Sequence, residues 1–395
     1  MKTEYFKRLS KAQLYWAAAG IVVITALVIL GVIFGRGGEA PGAEELAITA
    51  DMTIGEIAPK LDVTGKSMAR ELDLPLDAPK NVPVKELGVT EETLEEMVHH
   101  LIGHRESNLK YYLYGAIVLW GWLFLVKIGR PKNAPLKERK IWYPRIFYVV
   151  TLILSAVFLG FLLGKSPNPM EGGVKLFKTM VGLYPDTMVR IAAFLFFIAL
   201  AVVGNKIVCG WACPFGSLQE LIYSLPLFKK LKKKSVPFAV TNTIRAVLFV
   251  VMLLLLFGVV GGKKGYVLYH ALNPFNLFNL DFELPSILIT TVASLVIGAV
   301  MYRPFCRLIC PFGFISWFAE CISLYRIRID KNACTQCGAC IRACPSGTTG
   351  ARVYEKKVVP DCFSCARCLN VCPEDALDYG CALLKPKAGE KKKAA

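Results

Sequence analysis

The sequence has only four histidines, His99, His100, His104 and His270, and none lies inside a long apolar run. A haem held by paired histidines within a helical bundle is therefore not expected, and no Cys-x2-Cys-His motif exists for a c-type haem. There is no P-loop and no dinucleotide fingerprint, so no nucleotide is expected either. No hydrolytic constellation emerges. Charge is sparse at 19% of residues, and it is one-sided, with a formal net charge of +17. In a chain this poor in charge, a basic surplus reads as membrane-flanking loops rather than a nucleic-acid surface, and no nucleic-acid partner is expected. A cleavable leader is not evident, because the first apolar stretch is too long for a signal-peptide core and lacks a small-residue cleavage site.

Apolar residues are abundant. They make up 54% of the 395 residues, and the mean hydropathy is +0.47. Leu14 to Phe34 is an uncharged run long enough to span a bilayer as a helix. Five further spans are predicted near Tyr111–Val126, Ile146–Gly164, Thr187–Asn205, Ala246–Gly262 and Pro285–Tyr302. Flanking pairs such as Lys110 and Lys127, or Arg145 and Lys165, mark the ends. A charge at the bilayer centre costs about 2.5–3.5 kcal/mol on insertion scales, so charges collect at the interfaces. With six spans, the basic N-terminus, the Lys127–Arg145 loop, the Lys229–Lys234 loop and the C-terminal segment all fall on one side, which the positive-inside rule assigns to the cytoplasm. Residues 36–106 then lie outside. They are acidic on balance and read as a small helical module, with Thr53-Ile-Gly-Glu56 as a capping box and Thr90 starting a helix. His100 and His104, one turn apart after Glu96, read as a solvated face rather than a metal site.

The densest chemistry is in the cysteines. Eight of the fourteen form Cys334-x2-Cys337-x2-Cys340-x3-Cys344-Pro345 and Cys362-x2-Cys365-x2-Cys368-x3-Cys372-Pro373. This is the spacing by which bacterial ferredoxins hold 4Fe–4S cubanes, three thiolates from one run and the fourth from the other. Crossed ligation predicts Cys334, Cys337, Cys340 and Cys372 on one cluster, and Cys362, Cys365, Cys368 and Cys344 on the other. Ser346-Gly-Thr-Thr-Gly-Ala351 is only faintly like a flavin-attachment motif and is read as the turn that Cys344 needs. Cys321, in an apolar stretch, is expected in the core. Cys381 is read as part of the tail, without a chemical role.

Two more pairs form an internal repeat: Cys209-Gly-Trp-Ala-Cys213-Pro-Phe-Gly and Cys306-Arg-Leu-Ile-Cys310-Pro-Phe-Gly, each following a span and preceding an amphipathic stretch. Two equivalent helix ends can bring these four thiols together at the membrane surface. The residues leave three readings open: a third cluster, a redox- or metal-handling thiol site, or a structural helix end with cysteine packing as a small apolar residue.

The repeated C-x3-C-P together with the ferredoxin runs resembles the polyferredoxin-type membrane proteins of the NapH family and the C-terminal half of the NosR family, over residues 143–375. The resemblance implies a four-span core followed by a double-cluster domain, and electron transfer with quinone and a protein redox partner.

The expected architecture is a mostly α polytopic bundle of about six transmembrane helices with a C-terminal α+β bacterial-type double-cluster ferredoxin domain. Its parts are residues 1–35 (basic start and first span), 36–106 (outer helical module), 107–142 (second span and basic loop), 143–324 (four-span core with both C-x3-C-P motifs), 325–381 (ferredoxin domain) and 382–395 (basic tail). The expected place is a prokaryotic cytoplasmic membrane, with both termini and the ferredoxin domain in the cytoplasm. The expected function is electron transfer between the quinone pool and a redox partner or respiratory complex, as a quinol-linked oxidoreductase or a subunit of one, in contact with lipid. The aromatic loop around His270 is the candidate quinone site. The alternative is a maturation factor that supplies electrons or metal to a partner enzyme through the C-x3-C-P thiols.

Overall fold

The computed structural model describes residues 48–61, 65–72, 74–75, 78–103, 109–128, 146–164, 168–182, 187–225, 232, 236–261, 265–280, 282 and 284–384. The expected first span at 14–34, the loop 129–145, the Lys229–Lys234 loop apart from Lys232, and residues 385–395 of the basic tail lie outside these residues.

Residues 48–103 close a small core of their own. Helices α1 (Ile54–Lys60), α2 (Gly65–Glu71) and α3 (Glu91–Gly103) bury Ile54, Ile57, Met68, Val84, Leu94 and Met97. The capping box starts α1: Thr53 N–H donates to Glu56 Oε2 at 2.9 Å, and Glu56 N–H donates back to Thr53 Oγ1 at 3.3 Å. The Thr53 hydrogen bonds hold the Glu56 carboxyl below its usual pKa. At α3, Thr93 N–H donates to Thr90 Oγ1.

The bundle begins with α4 (Leu109–Ile128) and α5 (Ile146–Leu154), which continues as a π-helical segment to Leu162. It goes on through α6 (Pro169–Met180), α7 (Thr187–Gly204), α8 (Pro214–Ser224), α9 (Phe238–Leu256), α10 (Pro285–Gly298), α11 (Pro304–Leu308) and α12 (Pro311–Cys321). Among the described residues, α9 alone is long and apolar enough to cross a bilayer; Lys110–Val126, Ile146–Leu162, Arg190–Gly204 and Pro285–Gly298 are shorter apolar helices. Helix α6 was not anticipated from the sequence. Its charged residues suit a loop, but Asn168 caps it by accepting from Glu171 N–H, and Pro169 opens its first turn.

The ferredoxin domain is built on one antiparallel pair, β1 (Tyr325–Ile329) and β2 (Leu377–Cys381), with Ile327 opposite Tyr379. Between them lie three short helices, α13 (Ala339–Ala343), α14 (Thr348–Val353) and α15 (Arg367–Val371).

This domain is locked to the bundle by buried charge. Glu220 on α8 accepts from Arg303 Nε at 2.9 Å and from Arg367 Nη2 at 2.6 Å. Asp361 accepts from Lys206 and from Arg245 Nη1, the latter at 3.2 Å. Trp211 Nε1–H donates to Ser364 O at 3.1 Å, and Tyr379 O–H donates to Gly204 O at 2.9 Å. Gly210 lies so close that a Cβ there would sit 2.0 Å from Phe363 O.

Two expectations follow. Gly210→Ala forces the domain off its seat and costs about 1–3 kcal/mol or more, whereas Gly115→Ala, with nothing within 4 Å of the new methyl, leaves the thermal midpoint in place. Glu220→Ala leaves two buried guanidinium groups without their carboxylate. A loss of about 3–5 kcal/mol is expected in denaturant unfolding followed in detergent.

Candidate functional site

The two ferredoxin runs bring their cysteines together as crossed sets. Cys334, Cys337, Cys340 and Cys372 line one small pocket. Cys340 feels the charges of Cys372, Cys334 and Cys337, and burial pushes its thiol up to about 11. In the other half, Cys368 feels Cys344, Cys365 and Cys362. Burial raises Cys362 to about 12 and Cys365 to about 11. Burial acts the same way on Cys344, but hydrogen bonds from Ser346 and Thr349 outweigh it and bring that thiol below its usual value. The Ser346–Thr349 turn is thus a donor cradle for a thiolate. Thr348 fixes it by donating to Asp361 O at 2.6 Å. Left-handed backbone at Gln336, Gly338, Ser364 and Ala366 curls each run around its centre.

The C-x3-C-P motifs form a third gathering, and their placement differs from helix ends at a surface. After α7 reaches the ferredoxin domain at Gly204, the chain turns back into the bundle. Tyr148 O–H donates to Gly210 O, and Ser155 O–H donates to Ala212 O. The next contact along α5 is Gly160, whose Cβ would lie 3.1 Å from that of Pro214. Twelve residues of α5 and its π-helical continuation separate the first contact from the last, more than ~15 Å at helical rise. Helix α8 then returns to the ferredoxin domain, where Ser224 accepts from Arg367. The second motif follows suit: α12 starts at Pro311 and ends with Glu320 accepting from Cys362 N–H at 3.0 Å.

The four thiols of these motifs, each at least nine-tenths buried, line one small pocket with Lys206, Phe215 and Phe312. All fourteen cysteines are free of disulfides. Among the described residues, no three His, Cys, Asp or Glu side chains are drawn together tightly enough for a single metal ion. A zinc site needs four thiolates at about 2.3 Å from one centre. Four thiols lining one pocket are the donor set of an iron–sulfur cluster, as at Cys334, Cys337, Cys340 and Cys372.

Other sequence-predicted residues fall differently. Cys321 is exposed, not core. Helix α12 turns Ala319 and Glu320 inward, so Phe318, Cys321 and Ile322 form an outward apolar face. Cys381 ends β2, half-buried. His270 lies 3.3 Å from Lys178 Nζ. His104 and the side chain of His100 lie outside the described residues. Sequence reasoning missed Lys206, Arg303 and Gly210. The only sign was that Lys206 and Arg303 stand three residues before Cys209 and Cys306, respectively.

If each crossed set holds one cluster, double substitutions are diagnostic. Cys344→Ser with Cys362→Ser strikes one set and removes about four irons, whereas Cys344→Ser with Cys334→Ser strikes both and removes about eight. Iron analysis of the purified variants distinguishes the two.

Two family profiles match the chain. One, described as a 4Fe-4S binding domain, covers residues 187–235 and 283–324; the other, a 4Fe-4S dicluster domain, covers 326–373. An uncharacterized protein of Methanocaldococcus jannaschii is 30% identical over 239 residues, 59% of this chain and 83% of that protein. The ferredoxin-type protein NapH of Haemophilus influenzae is 26% identical over 209 residues, 49% of this chain and 69% of its own length. The regulatory protein NosR of Pseudomonas aeruginosa is 33% identical over 118 residues, 29% of this chain but only 16% of NosR. No solved structure matches. The chain is an iron–sulfur electron-transfer protein and belongs to the polyferredoxin-type family of NapH- and NosR-like proteins.

Proposed function

We propose that the chain is a six-span protein of a prokaryotic cytoplasmic membrane that passes electrons between the quinone pool and a redox partner. Its ferredoxin domain lies on the cytoplasmic side and residues 36–106 lie outside. The observation that carries this reading is the joining of two four-cysteine sets to a bundle whose outer face is apolar. Most of α9 is exposed although it is strongly apolar. Val240, Ile244, Val247, Val250 and Val251 are exposed along it, as are Ile289, Val292 and Val296 on α10. Contiguous apolar surface of this extent is stable against lipid and costly against water.

In this reading Cys334, Cys337, Cys340 and Cys372 hold one 4Fe–4S cubane, and Cys344, Cys362, Cys365 and Cys368 the other. Each cubane supplies one-electron redox chemistry. The chain contributes thiolates, burial and donors such as Ser346 and Thr349, which stabilise negative charge at Cys344. A quinol gives up two electrons and two protons, so its oxidation at one-electron centres needs a proton acceptor beside the ring. The Lys178–His270 pair is the candidate: Lys178 is 6% exposed, and His270 follows the end of α9 away from the ferredoxin domain. The alternative role is a maturation factor that supplies electrons or metal to a partner enzyme through the C-x3-C-P thiols.

Anaerobic mixing of the purified protein with a reduced ubiquinone or menaquinone analogue is expected to bleach the visible cluster absorption. His270→Ala is expected to slow this at least about tenfold, as removal of a general acid–base group does, without changing iron content. Clusters that neither accept electrons from quinols nor give them to quinones would refute the quinone link.

A further inference from the structure

Three residues after the glycine of each C-x3-C-P-F-G motif stand Gln219 and Ser316. Both are fully buried, but their hydrogen bonds differ. Ser316 O–H donates to Gly313 O at 3.4 Å, within its own helix α12. Gln219, on α8, reaches out of its own repeat into the other. Its Oε1 accepts from Phe305 N–H at 2.9 Å. Its Nε2 donates to Cys306 Sγ at 3.5 Å and to Phe215 O at 3.4 Å.

The neighbours fix which way the amide points. Phe305 N–H is a first-turn donor of α11 and needs an acceptor, so the oxygen faces Phe305 and the nitrogen faces the sulfur. Of the two amide hydrogens, Phe215 O takes one and Cys306 Sγ the other. Joining the repeats through Phe305 and Phe215 accounts for the oxygen and for one hydrogen. It leaves the second hydrogen, which ends on a thiol of the C-x3-C-P set. The other sulfurs are served differently. Gly313 N–H donates to Cys310 Sγ at 3.4 Å, and the matched Gly216 backbone serves Cys213. Among the described residues, no side chain donates to the sulfur of Cys209, Cys213 or Cys310. The repeats match in their cysteines and differ in their donors.

The 4Fe-4S binding profile covers both halves of this thiol set. A cluster there supplies one-electron chemistry when bound. A hydrogen bond to a ligating sulfur draws negative charge off it and so favours the more negative, reduced state. No proton is transferred; the amide keeps its hydrogen throughout. Such a bond counts most where water cannot replace it. Gln219 is 0% exposed and Cys306 is 8% exposed, so this donor has no solvent competitor.

We propose that Gln219 is a positioning residue that raises the reduction potential of the iron–sulfur centre at the C-x3-C-P thiols by donating its side-chain N–H to Cys306 Sγ. This deepens the electron-transfer reading and rests on it. The first repeat thereby sets the electronics of a cysteine in the second. Ser316, spent on its own helix, returns no such bond to Cys209, so the added electron is stabilised on the Cys306 side.

The test is an EPR-monitored redox titration of the full chain, purified anaerobically in detergent, with iron counted in every sample. The signal of interest is the one that Cys306→Ser alters. Gln219→Met, which is uncharged and has no N–H, is expected to lower its midpoint by about 59 mV, a tenfold change in a one-electron equilibrium. Iron content and the other signals stay as they were. Gln219→Glu keeps an acceptor for Phe305 N–H and is expected to lower the same midpoint. Ser316→Ala is expected to leave it in place. A midpoint unmoved in Gln219→Met overturns the proposal. So does a fall in Gln219→Met that Gln219→Glu does not share, because the loss then acts through Phe305, and so does an equal fall in Ser316→Ala. Should the Gln219 variants fail to fold, pulsed EPR of the unaltered chain labelled with ¹⁵N in the glutamine side chains is expected to show a nitrogen coupling at that signal, and its absence overturns the proposal. About eight irons in the unaltered chain, with no signal that Cys306→Ser alters, also overturns it but leaves the ferredoxin reading standing; a count below about eight removes that reading too.

Discussion

The structure depends on two buried carboxylates, Glu220 and Asp361, each shared by two cations. Glu220 joins Arg303 to Arg367, and Asp361 joins Lys206 to Arg245. In each case one partner belongs to the helical bundle near a C-x3-C-P motif, and the carboxylate or its second partner reaches the ferredoxin domain. Ionised groups at 0–1% exposure carry a large desolvation penalty, and only complete pairing offsets it. The geometry is therefore close to all-or-none. The ferredoxin domain is seated correctly, or several charges are stranded.

That lock explains why the cysteine-rich parts behave as one unit. Arg303 holds the first motif by its carbonyls while its Nε is fixed by Glu220. Lys206 holds the second motif while Asp361 fixes its ammonium. Asp361 immediately precedes Cys362 in the chain, and Arg367 immediately precedes Cys368. The groups that seat the domain thus sit next to cysteines of the second crossed set. Displacing the domain would disturb thiols in both halves, which is the kind of rigidity that electron transfer over fixed distances requires. The buried cations around this junction, Lys206, Arg245, Arg303, Arg307 and Arg367, outnumber the carboxylates Glu220, Glu320 and Asp361. The surplus positive charge favours anionic centres on both sides of it.

Helix termini do similar work at smaller scale. The bundle breaks its helices where sulfur is needed, with prolines at the first turns of α6, α8, α11 and α12. An unbroken span would satisfy its own backbone and point nothing at the cavity. A half-helix leaves free N–H groups at its N-terminus, and here those termini face thiols. The same logic accounts for the π-helical turn Val208–Ala212, which carries the chain from Cys209 to Cys213 without regular α-helical register.

The sequence by itself determined the chemistry of the ferredoxin half. Three-plus-one cysteine spacing with proline is a local constraint, so chain geometry near each run dictates which thiols can share a cluster. It also determined the apolar helices, through hydropathy, and the capping of the outer module, through Thr53 and Glu56. It showed that the C-x3-C-P motifs repeat, because an offset is visible in a string. Only the tertiary structure decided that the motifs turn inward, that Lys206 and Arg303 cross between repeats, and that Gly210 abuts Phe363. Those facts depend on contacts between residues about 90 to 150 positions apart, and spacing along the chain carries no trace of them. Cys321 makes the same point in reverse. An apolar neighbourhood in sequence reads as a core, but on α12 it is the outward face, and only the packing of the helix tells one from the other.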